Sequence, residues 1–249
     1  MKPHSPSSTV AVPAFALRIV CFGDSITGPH PETRYLENYL KWSDLLQLIL
    51  ETHLGPGKVE VLNRGWAGST SAQAVARFAG EVLALKPDIV IVLIGGNDFG
   101  NSTDPRQAAR DLKHNLMSIV DGLRKAEGKV LLLQYAEPKA DQMEKVWRHL
   151  DAANPVIAEV ARQERLPTLA LAPAFAEAAK THPQADLTNP VDGVHLNPYG
   201  EIVLGRAVFL KLQDLDWITV ANGCPAQHVS KFDMTTPGTS PRGNSGTGT

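Results

Sequence analysis

The chain has 249 residues, of which 43% are apolar and 20% are charged, and its formal net charge is −2. This length suits one α/β domain with some residues left over at its ends, and the composition excludes global disorder. The absence of a Lys/Arg-rich run argues against a nucleic-acid or membrane partner, and no apolar stretch approaches the ~20 residues of a membrane span.

Strands and helices alternate along the sequence. The predicted strands are 17–22, 58–62, 88–94, 129–134 and 166–171, and the predicted helices are 39–52, 71–85, 105–125, 143–165 with an interruption near Pro155, and 199–212. This alternation predicts an α/β fold, a three-layer α/β/α sandwich around a parallel sheet of about five strands. A flavodoxin-like order, 2-1-3-4-5, would bring the ends of strands one and three together at the edge where such sheets bind ligands.

The two ends of the chain differ from its middle. Residues 1–15 and 229–249 are poor in apolar side chains and rich in Pro, Ser, Thr and Gly, which predicts mobile tails around one domain at 16–228. The first residues lack a clear apolar segment, so we expect no signal peptide and a cytoplasmic location. Cys21 is expected to be a small buried residue of the first strand, and Cys224 lies in a late loop, so no disulfide framework is implied.

The most informative segment is Gly23-Asp24-Ser25-Ile26, where the first predicted strand ends. A serine on a tight turn at the carboxyl end of a parallel strand can point its hydroxyl into a cleft. Gly, Asp and Ser are also common in ordinary turns, so these four residues alone do not establish a function. Ser25 is therefore a candidate nucleophile that needs a base from elsewhere in the chain.

A candidate base lies in the segment Asp192-Gly193-Val194-His195, just before the last predicted helix. Histidine is the usual base for a serine hydroxyl because imidazole titrates near neutrality. Asp192 and His195 are three residues apart, so a local turn can bring the carboxylate to the imidazole Nδ1–H, where it would fix the tautomer. Most of the other seven histidines are interpreted as solvated surface residues.

Two further positions could supply hydrogen-bond donors to an oxyanion, which acyl transfer requires. Gly68 follows the second predicted strand and can offer its backbone N–H. Asn97 follows the third predicted strand and can offer its side-chain NH₂. Glycine and asparagine are also ordinary turn residues, and turn chemistry is the better explanation of each position taken singly.

These segments together resemble the SGNH hydrolases, also called GDSL-type esterases and lipases, over about residues 17–212. The family has four sequence blocks, and all four are found in the same order. In this chain the blocks are Gly23-Asp24-Ser25, Asn63 with Gly68, Gly95-Gly96-Asn97-Asp98, and Asp192 with His195. One four-residue match would be weak, but four ordered blocks at strand ends are specific.

The resemblance implies a serine esterase that works without a metal or organic cofactor. It implies a catalytic triad of Ser25, His195 and Asp192. It also implies an oxyanion hole formed by the backbone N–H groups of Ser25 and Gly68 and the side chain of Asn97. The Gly-x-Ser-x-Gly pentapeptide of α/β-hydrolases does not occur in the chain, which argues against that other fold.

The sequence also limits the substrate. Members of the family hydrolyse short acyl esters, including acetylated sugars, and some act on lysophospholipids or thioesters, which stay open as alternatives. No long apolar insertion is available to cover a fatty chain, so we expect a small-molecule or carbohydrate ester with a short acyl group. The loops at 30–38 and 135–138 are expected to lie around the cleft and to select the substrate.

Two other classes of protein are alternatives to a serine esterase. A metal-dependent hydrolase could use Asp24, Asp98, Asp192 and His195, because carboxylates and imidazole suit a divalent ion. Against this interpretation, no second histidine lies at a spacing typical of a metal-binding motif, and the glycines of the four segments would have no role. A binding domain that kept the fold without the chemistry is the other alternative, and a serine-directed phosphonate would separate it from an enzyme.

Overall fold

The computed structural model of the protein describes residues 16–28, 40–136, 147–181, 187–189 and 192–219. The tails expected at 1–15 and 229–249 and the loop with Cys224 lie outside these residues, so these features and the domain boundaries stay predictions. Cys21 is buried in the first strand with a free thiol, as expected, and burial raises its pKa well above the usual value.

Five parallel strands form one sheet in the order β2-β1-β3-β4-β5, which confirms the predicted fold and strand order. The strands are β1 Leu17–Gly23, β2 Val59–Gly65, β3 Ile89–Leu93, β4 Lys129–Gln134 and β5 Thr168–Ala170. Every residue of β3 is buried, as its continuous apolar sequence indicates for a central parallel strand. Gly23 pairs with Leu93, so the turns that follow β1 and β3 lie side by side.

Helices flank the sheet in two groups. The helices are α1 Trp42–Leu54, α2 Ser71–Glu81, α3 Gly96–Gly100, α4 Pro105–Lys125, α5 Asn154–Glu164, α6 Leu171–Thr181 and α7 Pro198–Asp214. Helices α1 and α6 both pack against α7, whereas α2 and α5 both pack against α4. No helix within the described residues is both long enough and apolar enough to cross a membrane.

A buried carboxylate fastens α7 to the start of α1. Glu201 is fully buried, accepts a 2.8 Å hydrogen bond from the Trp42 backbone N–H and forms an ion pair with Lys41. Burial raises the pKa of the Glu201 carboxyl, although the charge of Lys41 acts in the opposite direction. Because α7 begins three residues after His195, this contact also anchors the segment that carries the imidazole.

Several predicted boundaries are wrong. The predicted helix 71–85 stops at Glu81 and continues as a short 3-10 turn. The predicted helix 143–165 is a 3-10 turn at Trp147–Ala153 followed by α5, and its first four residues lie outside the described part. Pro155 lies in the first turn of α5. Backbone N–H groups in the first turn of a helix have no partner within the helix, so a proline there costs no hydrogen bond. Pro155 therefore starts a helix and does not interrupt one.

The end of the predicted fifth strand is also different. Leu171 begins α6 and does not end a strand, and β5 spans three residues. The sequence does not predict helix α6, nor the short helix α3, whose residues it places in a turn. Among the other histidines within the described residues, His114 is exposed as predicted, but His53 is half-buried and packs on Phe209 with ring centroids 4.6 Å apart.

Candidate active site

The turn after β1 holds Ser25 in a defined place. The Asp24 carbonyl accepts hydrogen bonds from the backbone N–H of Thr27 at 3.2 Å and of Gly28 at 2.8 Å. The Asp24 carboxylate oxygen Oδ1 accepts a third from the Ile26 N–H at 3.0 Å. These bonds close the chain around Ser25, which is 3% exposed, at the carboxyl edge of the sheet.

The structure brings Ser25, His195 and Asp192 into one hydrogen-bonded line. His195 Nε2 lies 2.8 Å from Ser25 Oγ, and His195 Nδ1 lies 2.8 Å from Asp192 Oδ2. Ser25 and His195 are 170 residues apart in sequence, and the imidazole is buried. A buried imidazole with a hydroxyl on one side and a carboxylate on the other is the arrangement in which histidine can take a proton from serine.

Local bonds within one turn orient the carboxylate. Asp192 Oδ1 accepts from the backbone N–H groups of Val194 at 2.8 Å and His195 at 2.9 Å, so Oδ2 is left to face the imidazole. Gly193 has φ +68, a conformation that glycine adopts without strain. Burial acts to raise the Asp192 pKa, but the hydrogen bonds from His195 and Val194 outweigh it, and the pKa is lowered. The carboxylate is therefore ionised at neutral pH.

Gly68 and Asn97 meet at the turn after β2. The Ser69 N–H donates to the Trp66 carbonyl at 3.1 Å, and Gly68 has φ +71 at the third position, as a type II turn requires. The Asn97 side chain is buried, and its Nδ2 donates to the Ser69 carbonyl at 3.1 Å. In the part of the chain that the structure describes, the backbone N–H groups of Ser25 and Gly68 donate to no protein acceptor.

Asn63, the first residue of the second block, ties β2 to the turn after β1. Its Nδ2 donates to the Thr27 carbonyl at 2.7 Å, and its Oδ1 accepts from the Gly65 N–H at 2.9 Å. The two backbones touch at this point, since a Cβ on Gly28 would lie 2.2 Å from the Gly65 carbonyl oxygen. Asn63 thus positions the turns that carry Ser25 and Gly68.

The four side chains of the metal-hydrolase alternative have other partners. Asp98 accepts from the Ser71 backbone N–H at 2.9 Å and from its hydroxyl, at the start of α2. Burial raises the Asp98 pKa, and these bonds from Ser71 oppose the rise. Asp24 accepts a hydrogen bond from the Tyr135 hydroxyl, while Asp192 and His195 bond to each other. Within the described ranges, no group of three or more His, Cys, Asp or Glu side chains could hold a metal ion.

Tyr135 is a site residue whose position the sequence does not reveal. It was expected in a substrate loop, but its side chain is buried at the end of β4. The Tyr135 hydroxyl donates to Asp24 Oδ2 at 2.5 Å and accepts from the Gly96 N–H at 3.1 Å. Burial raises the Asp24 pKa to about 6, against the effect of its bonds to Tyr135 and Ile26. Burial also raises the Tyr135 pKa well above its usual value, and the charge of Asp24 adds to this.

A small apolar cavity lies on the β4–β5 side of the triad. Its accessible volume is about 20 Å³, and its walls include Ile26, Tyr135, Leu171, Phe175 and Val194. Ile26 follows Ser25, and Val194 precedes His195, so the cavity borders both ends of the hydroxyl–imidazole pair. The loop expected at 30–38 lies outside the described residues, as do the last two residues of 135–138.

The fold and this constellation define a hydrolase-like α/β protein with a buried serine and histidine and a half-buried aspartate. Residues 21–201 match the model of the GDSL-like lipase/acylhydrolase family, and the chain belongs to that family. This match confirms the family expected from the four sequence blocks.

Three relatives illustrate the similarity. The esterase TesA of Pseudomonas aeruginosa is 32% identical over 66% of this chain and 73% of its own length. An acetylxylan esterase of Geobacillus stearothermophilus is 26% identical over 64% of this chain and 74% of its own. The crystal structure of Axe2, an acetylxylan esterase from Geobacillus stearothermophilus, matches this chain with a TM-score of 0.62 at 21% identity, over 82% of this chain and 97% of that one.

A shorter match links the chain to the uncharacterized lipoprotein YqeF of Bacillus subtilis. The two are 30% identical over 118 residues, which is 46% of each chain. The similarity to this relative therefore spans less than half of its length.

Proposed function

We propose that this protein is a serine esterase that hydrolyses carboxylic esters through Ser25, His195 and Asp192. The observation that carries the proposal is the line of two 2.8 Å contacts from the Ser25 hydroxyl through the imidazole to the Asp192 carboxylate. Membership of the GDSL-like lipase/acylhydrolase family supports the same reaction.

In the proposed first step, Ser25 Oγ attacks the ester carbonyl carbon while His195 Nε2 takes the hydroxyl proton. The carbonyl π electrons move to oxygen. The resulting oxyanion accepts hydrogen bonds from the Ser25 and Gly68 N–H groups and from the second amide N–H of Asn97. The ionised Asp192 stabilises the imidazolium and holds its Nδ1–H in place.

The tetrahedral intermediate then collapses. The bond from carbon to the alcohol oxygen breaks, and His195 returns its proton to the leaving alkoxide, so an alcohol and an acyl-Ser25 ester remain. Water repeats the sequence on the acyl-enzyme: it loses a proton to His195, adds to the acyl carbon, and releases a carboxylic acid as Ser25 recovers its proton. These steps consume one water and need no other reactant.

We propose a short acyl group, such as acetyl, and an acetylated carbohydrate as the substrate class. The small cavity beside Ile26 and Val194 supports a short acyl group, since it has room for about one small group. A long acyl chain would gain about 0.8 kcal/mol for each buried CH₂, but it needs an apolar groove to do so. The similarity to an acetylxylan esterase supports a carbohydrate ester.

The cytoplasmic location stays a prediction from the amino-terminal sequence. One relative is a lipoprotein, so cell fractionation with an antibody to this chain is the direct test. Recovery of the protein mainly in the membrane or extracellular fraction would contradict the prediction.

The nucleophile is tested by combining labelling with kinetics. We expect a serine-directed fluorophosphonate to add one phosphonyl group at Ser25, visible by peptide mass spectrometry. Ser25→Ala should abolish this label and lower kcat on an aryl acetate by about 10³-fold or more. Ser118→Ala, on the exposed face of α4, is the matched control and should keep both label and activity. If Ser25→Ala retained more than a tenth of the wild-type turnover, the proposal would be wrong.

Acyl length is tested with acetyl, butyryl and octanoyl esters of one alcohol. We expect kcat/KM to be highest for the acetyl ester, because the cavity beside the triad is small. A tenfold preference for octanoyl would overturn the short-acyl proposal and would favour the lysophospholipase or thioesterase alternative within the family.

A further inference from the structure

The indole of Trp66 stands out on the surface next to the site. Trp66 is 54% exposed, and it is the one aromatic side chain among the exposed large apolar residues of the described part. Single exposed apolar residues are normal on a protein surface, so exposure alone assigns no role. What distinguishes Trp66 is the way its ring is held and where it lies.

A buried arginine holds the ring. The Arg77 guanidinium carbon lies 4.9 Å from the centroid of the Trp66 ring and 4.3 Å from that of Phe22, so the cation is in contact with both rings. The guanidinium also donates to the carbonyls of Gly23 and Arg64, each at 2.8 Å, and Arg77 is 9% exposed. One face of the indole thus rests on a fixed planar cation, and the exposed area belongs to the rest of the ring.

The backbone of Trp66 is tied to both parts of the site. Its N–H donates to the Gly23 carbonyl at 3.0 Å, two residues before Ser25. Its carbonyl accepts from the Ser69 N–H at 3.1 Å and so closes the turn that contains Gly68. The indole and the proposed oxyanion donor are therefore parts of one turn, and a ligand on the ring would lie close to the reacting carbonyl.

The strand order separates Trp66 from the apolar cavity. Ser25 follows β1, and Trp66 follows β2, the neighbouring strand at one edge of the sheet. The cavity walls at Tyr135 and Leu171 follow β4 and β5, on the opposite side of β1. An ester bound at Ser25 with its acyl group in the cavity would extend its alcohol part toward Trp66.

We propose that the Trp66 indole is a stacking platform for a sugar ring of the leaving alcohol. A pyranose presents a face of C–H groups with hydroxyls at its rim, and this face suits the electron-rich face of an indole while the hydroxyls stay in water. Arg77 fixes the ring before the ligand arrives, so little side-chain freedom is lost on binding. The proposal rests on the esterase function proposed above and assigns the leaving-group side of that site.

The test compares a sugar ester with an ester that has no ring. The two substrates are methyl 2,3,4-tri-O-acetyl-β-D-xylopyranoside and ethyl acetate. Trp66→Ala should lower kcat/KM about tenfold on the xyloside, the size expected for losing one stacking contact, and less than twofold on ethyl acetate. Trp66→Phe should restore most of the xyloside activity, because it keeps an aromatic face. Leu210→Ala removes a comparably exposed apolar side chain from α7 and should change neither value.

Two kinetic outcomes would overturn the proposal. An equal loss on both substrates would mean that Trp66 supports the turn around Gly68, and no loss on the xyloside would mean that the ring is not a subsite. Calorimetric titration of the xyloside into Ser25→Ala, with and without Trp66→Ala, measures binding without turnover. An equal Kd for both proteins would contradict the platform even if the protein were not an esterase, whereas the absence of wild-type hydrolysis of both esters would contradict the esterase proposal.

Discussion

The Tyr135 hydroxyl lies 2.5 Å from Asp24 Oδ2, and the two residues come from strands that are not neighbours in the sheet. The same oxygen accepts a hydrogen bond from the Gly96 N–H at 3.1 Å. One buried hydroxyl just after β4 therefore joins the turn after β1, which carries Ser25, to the start of α3, which carries Asn97. The relative position of these two proposed site residues depends on it.

Tyr135→Phe should lower kcat about tenfold and leave KM within about twofold. The variant keeps the ring but leaves the Gly96 N–H without its acceptor and Asp24 with one donor fewer, which should also cost about 1–3 kcal/mol of unfolding free energy. Steady-state kinetics and urea unfolding of the same preparation measure both quantities.

The control for Tyr135→Phe removes hydrogen bonds far from the site. Gln47 on α1 donates to the Val59 carbonyl at 3.0 Å and accepts from the Val61 N–H at 2.6 Å, near the amino end of β2. Gln47→Leu should destabilise the fold to a similar extent with an unchanged kcat. If both variants lost turnover in proportion to stability, Tyr135 would have no positioning role.

The buried Asp24 predicts a pH dependence of stability. Burial raises its pKa from 3.8 to about 6, so the folded protein binds this proton more tightly than the unfolded chain. The contribution is fully present below about pH 4 and is lost as the pH rises through about 6, a change of about 3 kcal/mol. Asp24→Asn does not titrate, so its stability relative to wild type should rise by about that amount between about pH 4 and 7.

Urea unfolding of wild type and Asp24→Asn across this range tests the prediction. Asp121→Asn, an exposed carboxylate on α4, should track the wild type at every pH. A constant difference between Asp24→Asn and wild type would mean that Asp24 titrates with the same pKa in both states.

Asp192→Asn should lower kcat by about 10⁴-fold while the fold is kept. The amide oxygen can still accept from the Val194 and His195 N–H groups and so preserve the turn. The amide NH₂ would then face His195 Nδ1 as a donor, and the ring proton would move to Nε2, where it faces Ser25. Kinetics with circular dichroism as the folding control check this, and a variant with wild-type turnover would exclude Asp192 from the triad.

Asn97→Ala should lower kcat by about 10²- to 10³-fold with little change in KM, since an oxyanion donor acts in the transition state. Asn115→Ala is a matched control, because Asn115 also donates one amide hydrogen bond, to Ser71 Oγ at 2.9 Å, but from α4. The control should stay within about twofold of wild type. A change confined to KM would assign Asn97 to substrate binding in the ground state.

Much of the fold follows from local patterns in the sequence. The apolar run of β3 and the alternation of strands with helices predicted a parallel sheet, and its order followed from analogy with flavodoxin-like folds. The proposed site residues were also predictable, because each follows a strand or precedes the last helix, and parallel strands bring their carboxyl ends to one edge.

The contacts that support these residues were not predictable, because they join distant parts of the chain. Tyr135 and Asp24 are 111 residues apart, and Arg77 reaches Gly23 across 54. No local pattern marks a tyrosine or arginine for such a contact. The predicted interruption of a helix at Pro155 was wrong for a different reason. A proline can either break a helix or occupy its first turn, and which of the two occurs depends on where the preceding segment ends.

The contact between Ser25 and His195 joins β1 to the residues just before α7, across 170 positions. A ribosome that has released the chain as far as β5 has already made Ser25, Gly68 and Asn97, but it has not made His195. A refolding molecule whose sheet has formed but whose α7 has not yet docked would likewise lack His195 beside Ser25. Recovery of hydrolysis during refolding would therefore report the docking of α7, and far-ultraviolet ellipticity would report the formation of the helices.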